Sequence, residues 1–329
     1  MSRLTTSAPK VLYENIDASF VCFSSNGRTL AFGGPGGKLR IVTDFHRRND
    51  IPAGTTLPEI EVPAYVGLSY LQAHFIFMDT QLFVRTPHGF VTINAFTGRI
   101  VLNRSHCLDR FSTSTTKCTT SNSTVLSDGR IHLKVSNNKN FMVQFTPSES
   151  LIPCESLANV CCLDFPPGVN MLGMVGWEIK TGQLPDRCVI VANGAGNVFY
   201  ITRDTYARLL SKAEMPQPST WIISADDSGK RILMLQPFRV DDEKKDQESR
   251  EGADKTKSVV HGEPQPIWFI LTGESSSKHR LRASQPRVVS GAISFDGSVV
   301  ALITIDELDY IRSLEIIDIR HLAGLNDDE

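Results

Sequence analysis

One short pattern recurs along this chain and limits what it can fold into: an apolar strand, a tight Asn-Gly or Asp-Gly turn, and two further strands. Its clearest copy is ASFVCFSSNGRTLAFGGPGGKLRIVTDF, which spans residues 18–45. Because Asn and Gly both tolerate the positive φ of a tight hairpin, Asn26-Gly27 predicts that residues 20–24 pair with residues 29–33. Residues 39–43 follow a glycine-rich turn and are predicted to be the third strand.

The same pattern returns near the end of the chain, in VVSGAISFDGSVVALITIDELDYIRSLEIIDIRHL. Here Asp296-Gly297 marks the first turn, residues 299–305 form the second predicted strand and residues 314–319 the third. Between these two copies the pattern is looser, with turns at 128–129, 193–196 and 227–229. Runs of β-branched and aromatic residues bounded by Gly, Asn, Asp or Pro fill most of the chain, so the predicted fold class is all-β.

Helical periodicity is confined to two short segments. Residues 205–213 (TYARLLSKA) and residues 154–161 have apolar spacing that is compatible with a helix, and both are candidate short helices. Neither is long enough to change the predicted fold class.

The two clearest units resemble WD40 repeats. The likeness lies in a strand ending in Phe-Ser, a turn with Asn-Gly or Asp-Gly, and a third strand that ends in Thr43-Asp44 or Ile317-Asp318 where the family has Trp-Asp. It is good over residues 18–44 and 288–320 and looser between them. The resemblance implies a single β-propeller. Counting the units along the chain predicts six four-stranded blades, and seven is the alternative because residues 151–185 leave room for more strands.

The start of the chain offers a strand that such a propeller needs. The last unit supplies three strands, and residues 11–14 (VLYE) precede the first unit without a partner of their own. We expect them to complete the last blade as its outer strand and to close the ring, which would remove exposed sheet edges.

Composition divides the chain into one folded domain and three polar segments. The predicted propeller covers residues 10–322, with a disordered tail at 1–9 and an acidic tail at 323–329. Residues 241–265 interrupt it with an insertion that begins DDEKKDQESREGADKTK. This insertion is dense in both charge signs and has no apolar anchor, so it is predicted to be a flexible loop.

Charge and cysteine usage exclude several classes of protein. The 34 Lys and Arg residues are balanced by 36 Asp and Glu residues, which makes nucleic acid a less favoured partner than protein. Seven cysteines without CxxC spacing favour a reducing compartment, so we expect a cytoplasmic or nuclear protein that is not secreted. No apolar run reaches the roughly 18 residues needed to span a membrane.

Catalytic motifs are absent from the sequence. FGGPGGKL lacks the Gly spacing and the Ser or Thr of a phosphate loop, and NGAGNVF is followed by a strand where a dinucleotide site needs a helix. We therefore predict no catalytic, cofactor-binding or metal-binding residues and no cofactor. A hydrolase or lactonase of the propeller type, with a metal or carboxylate site in its channel, is the alternative because sequence spacing does not reveal such a site.

Five residues are candidates for a partner-binding surface. His88 and Tyr310 fall in turns between second and third strands, on the face that would also carry the 241–265 insertion. Arg47 and Arg48 fall on the opposite face, and Trp177 lies in a less regular stretch. The predicted function is a non-catalytic scaffold for protein–protein interaction, as a subunit of a larger assembly.

Overall fold

The computed structural model describes residues 8–45, 59–62, 68–109, 119–125, 131–135, 140–144, 150–154, 174–181, 184–192, 198–202, 208–211, 222–226, 231–235, 267–271, 277–285, 287–306 and 309–320. These residues form strands joined by turns and links. The predicted all-β fold class is confirmed.

The strands are short, and in chain order they are β1 (Lys10–Tyr13), β2 (Phe20–Phe23), β3 (Thr29–Gly33), β4 (Leu39–Thr43), β5 (Glu59–Val62), β6 (Gln72–Ile76), β7 (Gln81–Thr86), β8 (Gly89–Asn94), β9 (Ile100–Arg104), β10 (Thr120–Val125), β11 (Ile131–Val135), β12 (Asn140–Gln144), β13 (Ser150–Cys154), β14 (Met174–Thr181), β15 (Leu184–Ala192), β16 (Val198–Thr202), β17 (Arg208–Ser211), β18 (Ile222–Ala225), β19 (Arg231–Leu235), β20 (Ile267–Leu271), β21 (Ser277–Leu281), β22 (Arg287–Ile293), β23 (Val299–Ile305) and β24 (Arg312–Asp318). Within the described residues they form six four-stranded antiparallel sheets. Sheets 1 to 5 take four consecutive strands each, β2–β5, β6–β9, β10–β13, β14–β17 and β18–β21, and sheet 6 has the order β22-β23-β24-β1.

The N-terminal strand β1 completes sheet 6. It runs antiparallel to β24, with Lys10 opposite Ile316, Val11 opposite Glu315 and a register shift before Tyr13. The predicted pairing of residues 11–14 with the third strand of the last unit is therefore confirmed. The first and last parts of the chain share one sheet.

Both faces of the central strands are buried between neighbouring sheets. In β3, Leu30 and Phe32 belong to a buried cluster that includes Ile303 of sheet 6. Ala31 lies between them and points the other way, because side chains alternate along a strand, into a cluster that includes Leu82 of sheet 2. This two-sided burial explains why the second strands β3, β19 and β23 are almost continuously apolar.

The first strands of the sheets contact one another in chain order. β2 contacts β22 and β6, β10 contacts β6 and β14, and β18 contacts β14 and β22. Each first strand thus lies beside the first strands of two other sheets, which places the four-stranded sheets side by side.

One of the two helix predictions is wrong. Within residues 205–213, Arg208–Ser211 form strand β17, which pairs antiparallel with β16. A helix of about nine residues is marginal in water without a packed face, and the open edge of sheet 4 supplies hydrogen bonds that outweigh its weak propensity. For the other predicted helix, Cys154 ends strand β13, and residues 155–161 lie outside the described part of the chain.

Candidate protein-binding faces

The first turn of sheet 1 is organised by one buried hydroxyl. Ser24 ends the first strand, and its Oγ accepts a hydrogen bond from the backbone N of Thr29 at 2.9 Å. The same hydroxyl lies 2.8 Å from Oδ1 of Asn26, and that oxygen also accepts from the backbone N of Arg28. Gly27 follows with φ of 67°, a conformation that glycine adopts without strain. The predicted Asn-Gly hairpin is confirmed.

Sheet 6 repeats this turn nearly atom for atom. Ser294 Oγ accepts from the backbone N of Val299 at 2.9 Å and donates to Asp296 Oδ1 at 2.6 Å, and Gly297 has φ of 70°. Although partial burial alone would raise the pKa of Asp296, hydrogen bonds from Ser294 and Ser298 hold that pKa below its ordinary value. The sequence repeat is therefore a repeat of hydrogen bonds.

In sheet 5 a carboxylate replaces the buried hydroxyl. Asp226 occupies the position of Ser24, and its Oδ1 accepts from the backbone N of Arg231 at 3.0 Å. The Arg231 guanidinium lies 3.8 Å from Asp226 Oδ2 and also donates to the backbone oxygen of Asp296 in sheet 6. Arg231 thus joins the first turns of two neighbouring sheets.

Sheets 1 and 2 are joined in the same way. The carboxylate of Asp79, in the first turn of sheet 2, accepts from the backbone N of Ser25 at 2.9 Å, from Ser25 Oγ at 2.6 Å and from the backbone N of Asn26 at 3.2 Å. Because first turns contact first turns, these ends of sheets 1, 2, 5 and 6 lie together. We call this the lower face, and the ends with the turns between second and third strands the upper face.

The lower face of sheet 2 carries large exposed apolar side chains. Met78 is 93% exposed, Phe96 69% and Phe77 45%, and we call these three residues the Met78 patch. The first and third turns of the sheet are tied together where the backbone N of Ala95 donates to the oxygen of Thr80 at 2.9 Å. Apolar side chains so exposed, on two turns that are hydrogen-bonded to each other, are typical of a surface that meets a partner.

The first turn of sheet 2 holds an unfavourable backbone. Phe77, Met78 and Asp79 have φ of 52°, 51° and 63°, where side chains bearing a Cβ are disfavoured by about 1–2 kcal/mol per residue. The Asp79 hydrogen bonds described above and the bond from Thr80 Oγ1 to the oxygen of Phe77 at 2.7 Å offset that cost. Backbone strain of this kind concentrates at functional sites.

His88 lies on the upper face of sheet 2, in the turn between β7 and β8. Its Nδ1 lies 3.6 Å from Asp109 Oδ1, and the Nδ1 of His106 lies 3.2 Å from Asp109 Oδ2. The two imidazole rings stack with centroids 6.2 Å apart. His88 is thus a half-buried member of a polar cluster, and its part in partner binding stays a prediction.

Tyr310 also lies on the upper face, in the turn between β23 and β24. It is 47% exposed and has φ of 57°, and its backbone N donates to the oxygen of Asp306 at 3.2 Å. The neighbouring Ile311 is 40% exposed. The structure therefore places His88 and Tyr310 on the same face but on different sheets, with sheet 1 between them.

The turns and sheets match solved structures while the sequence does not match known families. No protein-family model matches the chain, and no curated protein matches it. Structural similarity is found to the crystal structure of the mitotic checkpoint complex (TM-score 0.54, 7% identity, 94% of both chains covered). It is also found to the C-terminal WD40 domain of Sif2 (TM-score 0.52, 7% identity, 95% of this chain and 99% of that one). The fold is a WD40-like β-propeller.

A third similar structure supports the same fold. It is the Cps50 (Swd1) β-propeller domain of Myceliophteria thermophila, with a TM-score of 0.50, 9% identity and coverage of 93% of this chain and 99% of that one. Each sheet is therefore a propeller blade, and each blade keeps the number of its sheet.

Blade 6 carries a buried polar network that ties it to the blade before it. The Glu315 carboxylate is fully buried in β24 and accepts from Thr304 Oγ1 at 2.7 Å and from the backbone N of Ser284 at 2.9 Å. The hydroxyl of Ser284 donates to it as well. Because Ser284 belongs to the link between blades 5 and 6, this network holds the link in place without a Trp-Asp dipeptide.

The glycine-rich segment FGGPGGKL is a hairpin turn, as predicted. The backbone N of Gly37 donates to the oxygen of Gly34 at 3.1 Å, and that of Gly34 to the oxygen of Lys38 at 3.2 Å. A Cβ on Gly36 would come within 2.1 Å of a carboxylate oxygen of Asp17. The glycines therefore allow the turn to pack against the link between β1 and β2.

The described residues were compared with the chemistry that a metal site or a reactive thiol would need. Among them, no group of three or more His, Cys, Asp or Glu side chains could hold a metal ion. Burial, and secondarily the charge of Asp79, raises the pKa of the Cys22 thiol well above its usual range, so that the thiol stays protonated and is a poor nucleophile. No helix in the described part of the chain is long and apolar enough to cross a membrane.

Three of the predicted surface residues are placed differently or lie outside the described part. Trp177 does not lie in an irregular stretch, because it belongs to strand β14 opposite Cys188 of β15. Arg47 and Arg48 lie outside the described residues.

The Met78 patch was missed by sequence reasoning. Its signal was present in the segment HFIFMDTQLF, where Phe77 and Met78 fall between two strands at the position that Ser-Asn or Phe-Asp occupies in blades 1 and 6. Phe and Met are more often buried than exposed, so only the structure shows that these two side chains face outward.

Proposed function

We propose that this chain is a non-catalytic scaffold that binds other proteins within a larger assembly. The observation that carries the proposal is the Met78 patch, which is apolar, exposed and held by a strained turn on the rim of a propeller. Support also comes from a structural neighbour that was solved as part of the mitotic checkpoint complex. We propose a cytoplasmic or nuclear location, on the cysteine usage given above.

The blades are proposed to form a closed ring of six, sealed by β1. The support is the chain of contacts between first strands, which leads from β2 through β6, β10, β14 and β18 to β22 and back to β2. Class averages from electron microscopy of the whole protein would show six blades around a channel. Seven blades, or an open arc, would contradict this part of the proposal.

The scaffold function is tested with the native protein. The chain, tagged at its own locus, is purified under mild conditions, and its mass is measured by native mass spectrometry. We expect stable complexes far heavier than one chain, with other proteins in fixed ratios. A strictly monomeric protein at native concentration would contradict the proposal, and a tightly bound metal ion would favour the alternative of a propeller hydrolase.

A further inference from the structure

The Met78 patch is large enough to matter for binding. The exposed parts of Met78, Phe96 and Phe77 together amount to roughly 400 Å², taking about 200 Å² for each side chain. Met78 and Phe96 dominate this area because they are the most exposed of the three. The patch lies on blade 2 and borders the first turn of blade 1.

The turns that carry the patch are held by hydrogen bonds. The Asp79 carboxylate anchors its turn to blade 1 through three hydrogen bonds from Ser25 and Asn26. The bond between Ala95 and Thr80 fixes the turn that carries Phe96. Backbone turns that are already ordered lose little further conformational entropy on binding, which favours recognition of a short segment.

Two exposed arginines lie in the turns beside the patch. Arg28 belongs to the blade 1 turn that Asp79 contacts, and Arg99 belongs to the turn that carries Phe96. Both are exposed, and neither forms an ion pair with any described residue. The carboxylate of Asp79 is occupied by its hydrogen bonds to blade 1. Acidic groups on a partner would therefore meet unpaired guanidinium groups at two edges.

We propose that the Met78 patch binds a short amphipathic segment of a partner protein, whose apolar side chains cover Met78 and Phe96 and whose carboxylates meet Arg28 and Arg99. This inference rests on the proposed scaffold function and adds to it the place and the chemistry of the contact. An apolar surface with cationic edges could also meet an anionic membrane, and the experiments distinguish the two.

Photo-crosslinking in the native cell identifies the occupant. The full chain carries p-benzoylphenylalanine in place of Phe96, and a matched control carries it in place of Val101, which is 54% exposed on the outer strand of the same blade. We expect position 96 to crosslink to one protein segment rich in acidic and apolar residues, and position 101 not to do so. Crosslinks to lipid, crosslinks to a basic segment, or equal crosslinking at both positions would overturn the inference.

A binding assay with defined probes tests the charge requirement. The probes are a synthetic leucine–glutamate helix, its leucine–lysine counterpart and vesicles containing phosphatidylserine, each titrated with the full chain. We expect the glutamate peptide to bind at least tenfold more tightly than the lysine peptide, and Arg28→Glu with Arg99→Glu to reverse that preference. Met78→Gln should weaken glutamate-peptide binding about tenfold, and Val101→Gln should leave it unchanged.

The outcomes separate this inference from the proposed function. If the native chain forms its assembly but the glutamate peptide does not bind, or binds equally to the Met78→Gln variant, the inference is wrong and the scaffold function stands. If the vesicles bind and neither peptide does, the patch is a membrane contact and the inference is also wrong. If the native chain is a monomer, the proposed scaffold function is wrong, and so is the inference that rests on it.

Discussion

The first turns of blades 1 and 2 occupy the same position in the fold and are built in opposite ways. In blade 1 the turn from Ser24 to Gly27 uses a buried hydroxyl, an Asn side chain and a glycine, and its one positive φ falls on the glycine, where it causes no strain. In blade 2 the corresponding turn has no glycine, places Phe77, Met78 and Asp79 at positive φ, and exposes apolar side chains. The first arrangement satisfies the backbone, and the second presents a surface at the expense of local stability.

This comparison shows that the first turn can differ from one blade to the next while the fold is kept. A hairpin in a propeller blade is held by its neighbours on both sides, so a single turn can be strained without loss of the blade. The blade 1 turn even supplies the donors that hold the strained turn of blade 2, through Ser25 and Asn26. The regular turn and the exceptional turn are therefore one unit, and the following substitutions separate them.

The largest expected effect belongs to glycine in the regular turns. An alanine Cβ at Gly297 would lie 2.4 Å from Arg231 Cδ and 3.2 Å from Asp226 Oδ2, whereas at Gly27 the nearest atoms are 4.0 Å away. Both positions have positive φ, so Gly27→Ala should lower the free energy of unfolding by about 1 kcal/mol, and Gly297→Ala by about 2–3 kcal/mol because Arg231 must also move. Urea denaturation measures both, and equal losses would show that Arg231 does not join the blades.

A smaller loss is expected when the strained turn is released. Asp79→Ala removes the acceptor for three donors of blade 1 and should lower the free energy of unfolding by about 1–2 kcal/mol. Hydrogen exchange measured by mass spectrometry should become faster in both first turns and remain unchanged at β24. If only the blade 2 turn responds, the two turns are not one unit.

Replacing the exposed methionine should stabilise the protein. Met78→Gly relieves a positive φ and removes a side chain that is 93% exposed, so the free energy of unfolding should rise by about 0.5–1 kcal/mol after allowance for the greater freedom of glycine in the unfolded chain. The matched control is Val101→Gly, an exposed strand position where glycine should destabilise. A loss of stability at position 78 would mean that the turn is not strained.

The smallest effect concerns the carboxylate of the regular turn in blade 6. Because hydrogen bonds lower the pKa of folded Asp296, its contribution to stability is present above the pKa of the unfolded chain and is lost as the pH falls through the lower folded pKa. The melting temperatures of the Asp296→Asn variant and of the wild-type protein should therefore differ at neutral pH and converge as the pH falls below about 4. A difference that is constant with pH would assign the effect to the shape of the side chain.

Much of the fold was predictable from the residues, and the candidate site was not. Asn26-Gly27 and Asp296-Gly297 mark hairpins that the structure confirms, because turn chemistry depends on a few neighbouring residues. Residues 208–211 were predicted as helix and form a strand, because the partner strand that decides the matter lies elsewhere in the chain. Tyr310 was correctly placed on an exposed turn, but the Met78 patch was not recognised, because exposure depends on what neighbouring blades leave uncovered.

The resemblance of the chain's units to WD40 repeats indicated that residues 11–14 complete the last blade, and the residues alone predicted most of the strands and the regular hairpins. These follow from side-chain alternation and from turn residues, which act over a few positions along the chain. The packing of neighbouring blades sets the contact of Asp79 with blade 1, the reach of Arg231 to Asp296 and the exposure of Met78 and Phe96. Those relations join residues that are far apart in sequence, and they exist only once neighbouring blades have packed.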